Sequence, residues 1–111
     1  MGSGELFSTG EDMAVILRVM CGLAPHPVQG AVERAIEPRA RGMGARISYG
    51  WDVSDGPNPV WSKSGLTTGF TAFAAFTREP QVGVAILSNL GRHREIQGLV
   101  FELIEAAAAL P

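Results

Sequence analysis

A single cysteine, Cys21, leaves no partner for an internal disulfide and excludes a zinc site built on paired cysteines. Its place among apolar helix positions makes it a small buried hydrophobe. No apolar run approaches the roughly 18 residues of a membrane span. The start, Met1 to Glu5, has no basic region followed by an apolar one, so it does not read as a secretory leader. "MGSG" has the composition of an expression-tag remnant. A basic surplus is missing too: nine Lys and Arg stand against eleven Asp and Glu, for a net charge of −2. That balance argues against a nucleic-acid footprint, which needs clustered cations. Arg34, Arg39, Arg41 and Arg46 are diluted by Glu33 and Glu37 and read as solvated surface. Nothing in the sequence calls for a metal or another cofactor.

What remains is ordinary globular material: 111 residues, 46% hydrophobic and 18% charged, the size of one domain spanning 1–111. Ser8-Thr9-Gly10-Glu11 has the form of a capping box, with Ser8 as the cap. Met13, Ile16, Leu17 and Met20 follow at helical spacing and predict a helix that ends near Gly22. Glu11 and Asp12 lie in its first turn, where the helix dipole favours anions. A second short helix is predicted over 27–36, with Val28, Val32 and Ile36 on one side and Pro38 as its stop. "PRARGMGAR" reads as a loop.

From Ile47 the period changes to two. Ile47, Tyr49, Trp51 and Val53 alternate as a half-buried strand should, and "SDGPNP" is a turn. Strands are then expected from Val60 to Gly65, Phe70 to Thr77 and Val82 to Asn89, with "REPQ" joining the last two. The strand from Phe70 is apolar on both faces, which demands cover on both sides. Ile96, Leu99, Val100, Leu103 and Ile104 mark a closing amphipathic helix from about Arg94 to Ala109. The fold class is α+β: an antiparallel meander of about four strands with flanking helices.

The chemistry concentrates in "VWSKSGLTTGF", residues 60–70, where Lys63 stands between two serines and ahead of Gly65 and Gly69. A lysine followed by Ser-Gly at a strand end is often just a solvated turn. A phosphate cradle is unsupported, because the order G-x-x-x-x-G-K-[ST] is absent. His26 and His93 are the only histidines, both read as surface, and there is no G-x-S-x-G elbow.

The order of segments says more than the tripeptide. "FSTGEDMAVIL", "YGW", "WSKSGLTTGFTAFAAF" and "VGVAILSN", closed by a helix, together resemble the C-terminal third of the serine β-lactamase and penicillin-binding-protein superfamily, in its class C β-lactamase, DD-peptidase and esterase branch. The likeness covers nearly the whole chain. Lys63-Ser64-Gly65 is similar to that family's Lys-Thr/Ser-Gly motif. The resemblance implies that Lys63 biases the proton network of a nucleophile, and that Ser64 binds a substrate carboxylate or carbonyl. It implies that Gly65 lets substrate lie along the strand and that the backbone N–H of Leu66 completes an oxyanion hole. Thr67 and Thr68 would flank this site. A cation beside an acyl-transfer centre stabilises developing negative charge, and an open strand edge can pair with a peptide-like substrate.

The family's other two motifs are missing. No serine begins a Ser-x-x-Lys, and neither Tyr-x-Asn nor Ser-x-Asn occurs. Acyl transfer needs a nucleophile beside its base, so the expected parent is a hydrolase of β-lactams, D-amino peptides or esters of which this chain is a C-terminal portion, inactive alone. The competing readings are a non-catalytic binding or self-associating module on a remnant of the fold, and an α+β domain with an accidental Lys-Ser-Gly turn. Residues 82–89, free of charge, are expected to present a strand edge to a second copy or to a complementing N-terminal segment. Localisation is left open between bacterial cytoplasm and periplasm.

Overall fold

The computed structural model describes residues 7–24, 26–42 and 44–110. The "MGSG" start lies outside them. Helix α1 runs Gly10–Met20, α2 Gln29–Ile36 and α3 His93–Ala108. The strands are β1 (Ala40–Arg41), β2 (Arg46–Ile47), β3 (Asp52–Val53), β4 (Trp61–Thr67), β5 (Phe70–Arg78) and β6 (Gln81–Ser88). They form one antiparallel sheet in sequence order, β1-β2-β3-β4-β5-β6. Every connection therefore joins neighbours, and the α+β meander is as expected from the sequence. Six strands replace the expected four.

The difference lies between Pro38 and Val53. The span read as a loop contributes β1, and the span read as one strand from Ile47 is two short strands, β2 and β3, joined by a turn. Gly50 sits there at φ +82, in the left-handed region that glycine enters without a Cβ clash. Ser48 donates its N–H to the Trp51 carbonyl at 2.9 Å across that turn. The apparent alternation of Ile47 and Tyr49 was therefore not a buried face: Tyr49 is 65% exposed. Its ring instead carries the Arg39 guanidinium at 4.4 Å, a cation–π contact. The arginines of this ribbon are paired: exposed Arg41 and half-buried Arg46 both meet Asp55, at 2.9 and 3.3 Å.

The start of α1 is also one residue off the expectation. Thr9, not Ser8, is the cap; its hydroxyl accepts the Asp12 N–H at 3.1 Å, as an N-cap threonine should.

β5 is buried on both faces, and helices cover both. On one side Phe76 and Ala74 pack with Trp61, Val53, Leu17, Cys21, Val32 and Ile36, under α1 and α2. On the other, Phe73 and Ala75 pack with Val100 and Ile104 of α3. Cys21 is 1% exposed and serves as core, as its apolar setting predicted. Phe76 is fully buried between two indoles, stacked on Trp61 at 5.2 Å and edge-on to Trp51 at 5.0 Å. Trp61 donates its indole N–H to the Ile36 carbonyl at 2.7 Å, which satisfies the end of α2 and locks that helix against β4. Arg78 and Gln81, at the β5–β6 turn, tie down the end of α1: Arg78 donates to the Met20 carbonyl at 2.9 Å and Gln81 to that of Cys21 at 3.1 Å. These ties fix α1 across the sheet, and α1 makes one wall of the site.

Candidate functional site

The site is built where β4 outruns its neighbour. β3 pairs only with Trp61 and Ser62, whereas β5 pairs with all of β4, residue for residue, without a bulge. Among the described residues, no strand lies beside the other edge of β4 from Lys63 to Thr67. Backbone groups in an antiparallel strand alternate between its two edges. Ser54 donates to the Val60 carbonyl at 3.0 Å, and Val60 returns its N–H to the Ser54 hydroxyl at 2.8 Å, so Val60 faces the β3 side. By alternation Ser62, Ser64 and Leu66 face the same way. The N–H and C=O groups of Ser64 and Leu66 therefore point out from the open edge.

Side chains alternate across the sheet's two faces. Those of Trp61, Lys63 and Thr67, with the open side of Gly65, lie on the α1 face; those of Ser62, Ser64 and Leu66 lie on the α3 face. Lys63 enters a cleft of about 710 Å³ between β4 and the first turns of α1. Asp12, Met13 and Ile16 of α1 and Trp51 after β2 form its walls, and Gly65 and Ala72 its floor. Lys63 makes no ion pair among the described residues. Lys63 and Asp12 are the two charged residues that line this mainly apolar cleft.

A second depression of about 470 Å³ continues past Gly65 along Leu66, Thr67 and Phe70, where the sheet extends beyond the N-terminus of α1. Leu66 and Phe70 are 58% and 59% exposed there. The turn Thr68-Gly69 closes β4 onto β5 with Gly69 at φ +77, a conformation that a Cβ would strain. Thus Lys63, Ser64, Gly65, Leu66 and Thr67 come together along one edge, while Thr68 sits in the turn and lines neither depression.

Asp12, Ile16 and Trp51 were not singled out by sequence as site residues. Asp12 had a sufficient explanation in the helix dipole, and Ile16 in the core face of α1. Ile16 is in fact 48% exposed, on the flank of α1 turned to β4. The signal that could have found it is the width of the apolar stripe, which exceeds what one sheet face covers. The histidines make no nucleophile-activating contact. His26 is exposed and accepts the Val28 N–H through Nδ1 at 3.2 Å. His93, read as surface, is half-buried against Phe73 at 5.9 Å. Among the described residues neither hydrogen-bonds Ser64.

An antiparallel sheet with helices on both faces is compatible with part of a serine β-lactamase fold. The family model for Beta-lactamase matches residues 1–108. The chain belongs to that family, within the serine β-lactamase and penicillin-binding-protein superfamily. No curated protein matches the chain.

Proposed function

We propose that this chain supplies one wall of the acyl-transfer site of a β-lactamase-like serine hydrolase, with Lys63 as its cation. The observation that carries the reading is Lys63 itself, without an ion pair among the described residues, in a mainly apolar cleft that Asp12 also lines, beside the strand edge of β4. In this reading the Lys63 ammonium attracts the substrate anion and stabilises charge that develops on the reacting carbonyl. The outward N–H of Leu66 donates to the oxyanion, and that of Ser64 pairs with an extended substrate. The Ser64 hydroxyl lies on the opposite face from Lys63, so it serves a substrate carboxylate only where the ligand wraps the edge. The substrate is a β-lactam, a D-amino peptide or an ester. No cofactor enters the chemistry.

The reacting serine and its lysine base are not among the 111 residues, so turnover requires them from another segment or chain. That same absence favours a second reading, a binding module that keeps the cleft without catalysis. Both readings predict that the isolated chain does not hydrolyse β-lactams or p-nitrophenyl esters above buffer. Turnover abolished by Ser64→Ala would refute both.

Binding tests the cleft directly, with Trp51 in its wall as reporter. Benzylpenicillin and N-acetyl-D-alanyl-D-alanine each carry one carboxylate and are expected to change the fluorescence saturably at millimolar concentration, a Kd near 4 kcal/mol of binding. Lys63→Met is expected to weaken both at least about tenfold with the melting temperature unchanged, because Lys63 is exposed and unpaired. Absence of saturable binding, or binding indifferent to Lys63→Met, overturns the cleft reading. Addition of a Ser-x-x-Lys-bearing segment then separates the two readings, since only the first regains hydrolysis.

A further inference from the structure

The two charges of the cleft are of opposite sign and stand on different walls. Lys63, the only lysine in the chain, lines the β4 wall, and Asp12 lines the wall made by α1. Every other side chain around the space is uncharged, and most are apolar. Both charged residues are exposed. They do not neutralise each other, since neither takes part in an ion pair among the described residues.

The Asp12 carboxylate is not consumed by its own helix. Asp12 is the third residue of α1, and its N–H goes to the Thr9 hydroxyl at 3.1 Å. A capping box returns a bond from the cap N–H to the side chain at this position. Among the described residues, the Thr9 N–H makes no such bond to Asp12. The helix dipole favours an acid in this turn, but it favours Glu11 equally, and Glu11 does not line the cleft. Of the two acids in the turn, one faces Lys63 across an apolar space.

We propose that the cleft selects zwitterionic ligands, holding the ligand carboxylate at Lys63 and its ammonium at Asp12. The inference rests on the acyl-transfer reading of the cleft and narrows it. Of the substrate classes left open, it favours D-amino peptides with a free amino end and β-lactams whose acyl side chain carries an amine. Esters and acylated peptides that lack an amine are disfavoured. A ligand with only a carboxylate satisfies Lys63 but brings its charge toward Asp12, and like charges brought together cost affinity. A zwitterion meets the opposite charge at both walls, with its middle against Met13, Ile16 and Trp51. An extended dipeptide spans about 7 Å, a length suited to bridging two charges that do not reach each other directly. The exposure of both groups keeps the gain to that of a surface ion pair.

Two matched pairs of ligands test this in the Trp51 titration, at about pH 6, where α-amines are protonated. Ampicillin differs from benzylpenicillin by one amino group. D-alanyl-D-alanine differs from its N-acetyl derivative by a free ammonium. Each amine-bearing ligand should bind about two- to fivefold more tightly than its counterpart. Asp12→Asn should abolish the preference by weakening the amine-bearing ligands while benzylpenicillin binds unchanged or slightly tighter. Asp12→Glu should retain part of the preference, a rescue that a purely structural aspartate does not give. Thermal melting verifies that both variants fold. Because Lys63 is the only lysine, its reductive methylation, located by peptide mass mapping, gives a second readout. Ampicillin should slow it more than an equal concentration of benzylpenicillin does. Equal affinity within both pairs overturns the inference and leaves the cleft reading standing. A preference that persists in Asp12→Asn also overturns it, because the ammonium is then held elsewhere. Absence of saturable binding by all four ligands overturns the cleft reading and this inference with it.

Discussion

Gly65 separates the demands of the fold from those of the cleft. A Cβ built there meets only the Cβ of Ala72, at 3.9 Å, an ordinary contact, and Gly65 is not among the glycines at positive φ. The fold therefore has no need of glycine at this position. Replacing a strand glycine by alanine under these conditions removes conformational freedom from the unfolded chain and stabilises by about 0.4–1 kcal/mol. For a domain near 100 residues each kcal/mol moves the melting temperature by about 4–8 °C. Gly65→Ala should thus raise Tm by roughly 2–8 °C in differential scanning fluorimetry. The added methyl, however, enters the floor of the cleft beside Lys63. Crowding a ligand there costs about 1–3 kcal/mol by analogy with an overfilled core. Benzylpenicillin binding should weaken by about 5- to 150-fold in the Trp51 titration. The signature is opposite signs: a more stable protein that binds worse. A fall in Tm would show that the glycine is structural. A rise in Tm with unchanged affinity would show that the ligand does not use this edge, and the cleft reading would fail.

Two further substitutions probe what holds the cleft in place. Phe76→Ala empties a fully buried site between two indoles and should cost about 3–5 kcal/mol in urea unfolding, a large part of the roughly 5–15 kcal/mol a domain has; a loss below about 1 kcal/mol would mean that the core repacks. Glu33 hydrogen-bonds Arg78, whose guanidinium holds the carboxyl below its ordinary value of 4.5. Its contribution is therefore present above that value and lost as pH falls through the lower folded one. The Tm advantage of the native chain over Glu33→Gln should be small, since Glu33 is half exposed, and should vanish as pH falls below the lowered value of the carboxyl; an advantage that does not vary with pH would refute the linkage.

The parts legible in the sequence were those where local pattern and tertiary burial agree. Phe73 and Ala75 against Ala74 and Phe76 announced a strand covered on both faces, and the structure supplies α3 on one and α1 with α2 on the other. Of the stripe Ile96, Leu99, Val100, Leu103 and Ile104, Val100 and Ile104 are the buried face of α3 and Ile96 packs beside them, while Leu99 and Leu103 are 44% and 41% exposed. The span from Ile47 to Val53 misled because alternation is a necessary sign of a half-buried strand and not a sufficient one. There the glycine at position 50 decided the backbone, and the aromatic side chain of Tyr49 went to a surface guanidinium. The Lys63 edge was legible as a motif, but its cleft was not. Asp12 and Ile16 are some 50 residues away in sequence, at positions 12 and 16 against 63, and reach Lys63 only because Arg78 and Gln81 anchor the far end of α1.

The β4 and β6 edges of this sheet differ in the side chains around them, and the difference is chemical. Both present outward N–H and C=O groups, which carry affinity for any extended chain but little selectivity. The β4 edge adds a cation, two hydroxyl-bearing neighbours and a glycine, and its opening is limited to the five residues from Lys63 to Thr67. Such an edge suits a short ligand with a carboxylate. The β6 edge adds no charge of its own and runs the full strand, with a small residue at its centre and apolar stripes on α3 beside it. The edges lie on opposite sides of β5, and Leu87 of β6 also lines both depressions along the β4 edge. Gly83→Ala bears on this separation: its Cβ would stand 3.1 Å from that of Leu17, so α1 must lift by a few tenths of an ångström over the β6 edge. α1 also walls the Lys63 cleft, so that helix touches both edges, as β5 does by pairing with β4 on one side and β6 on the other.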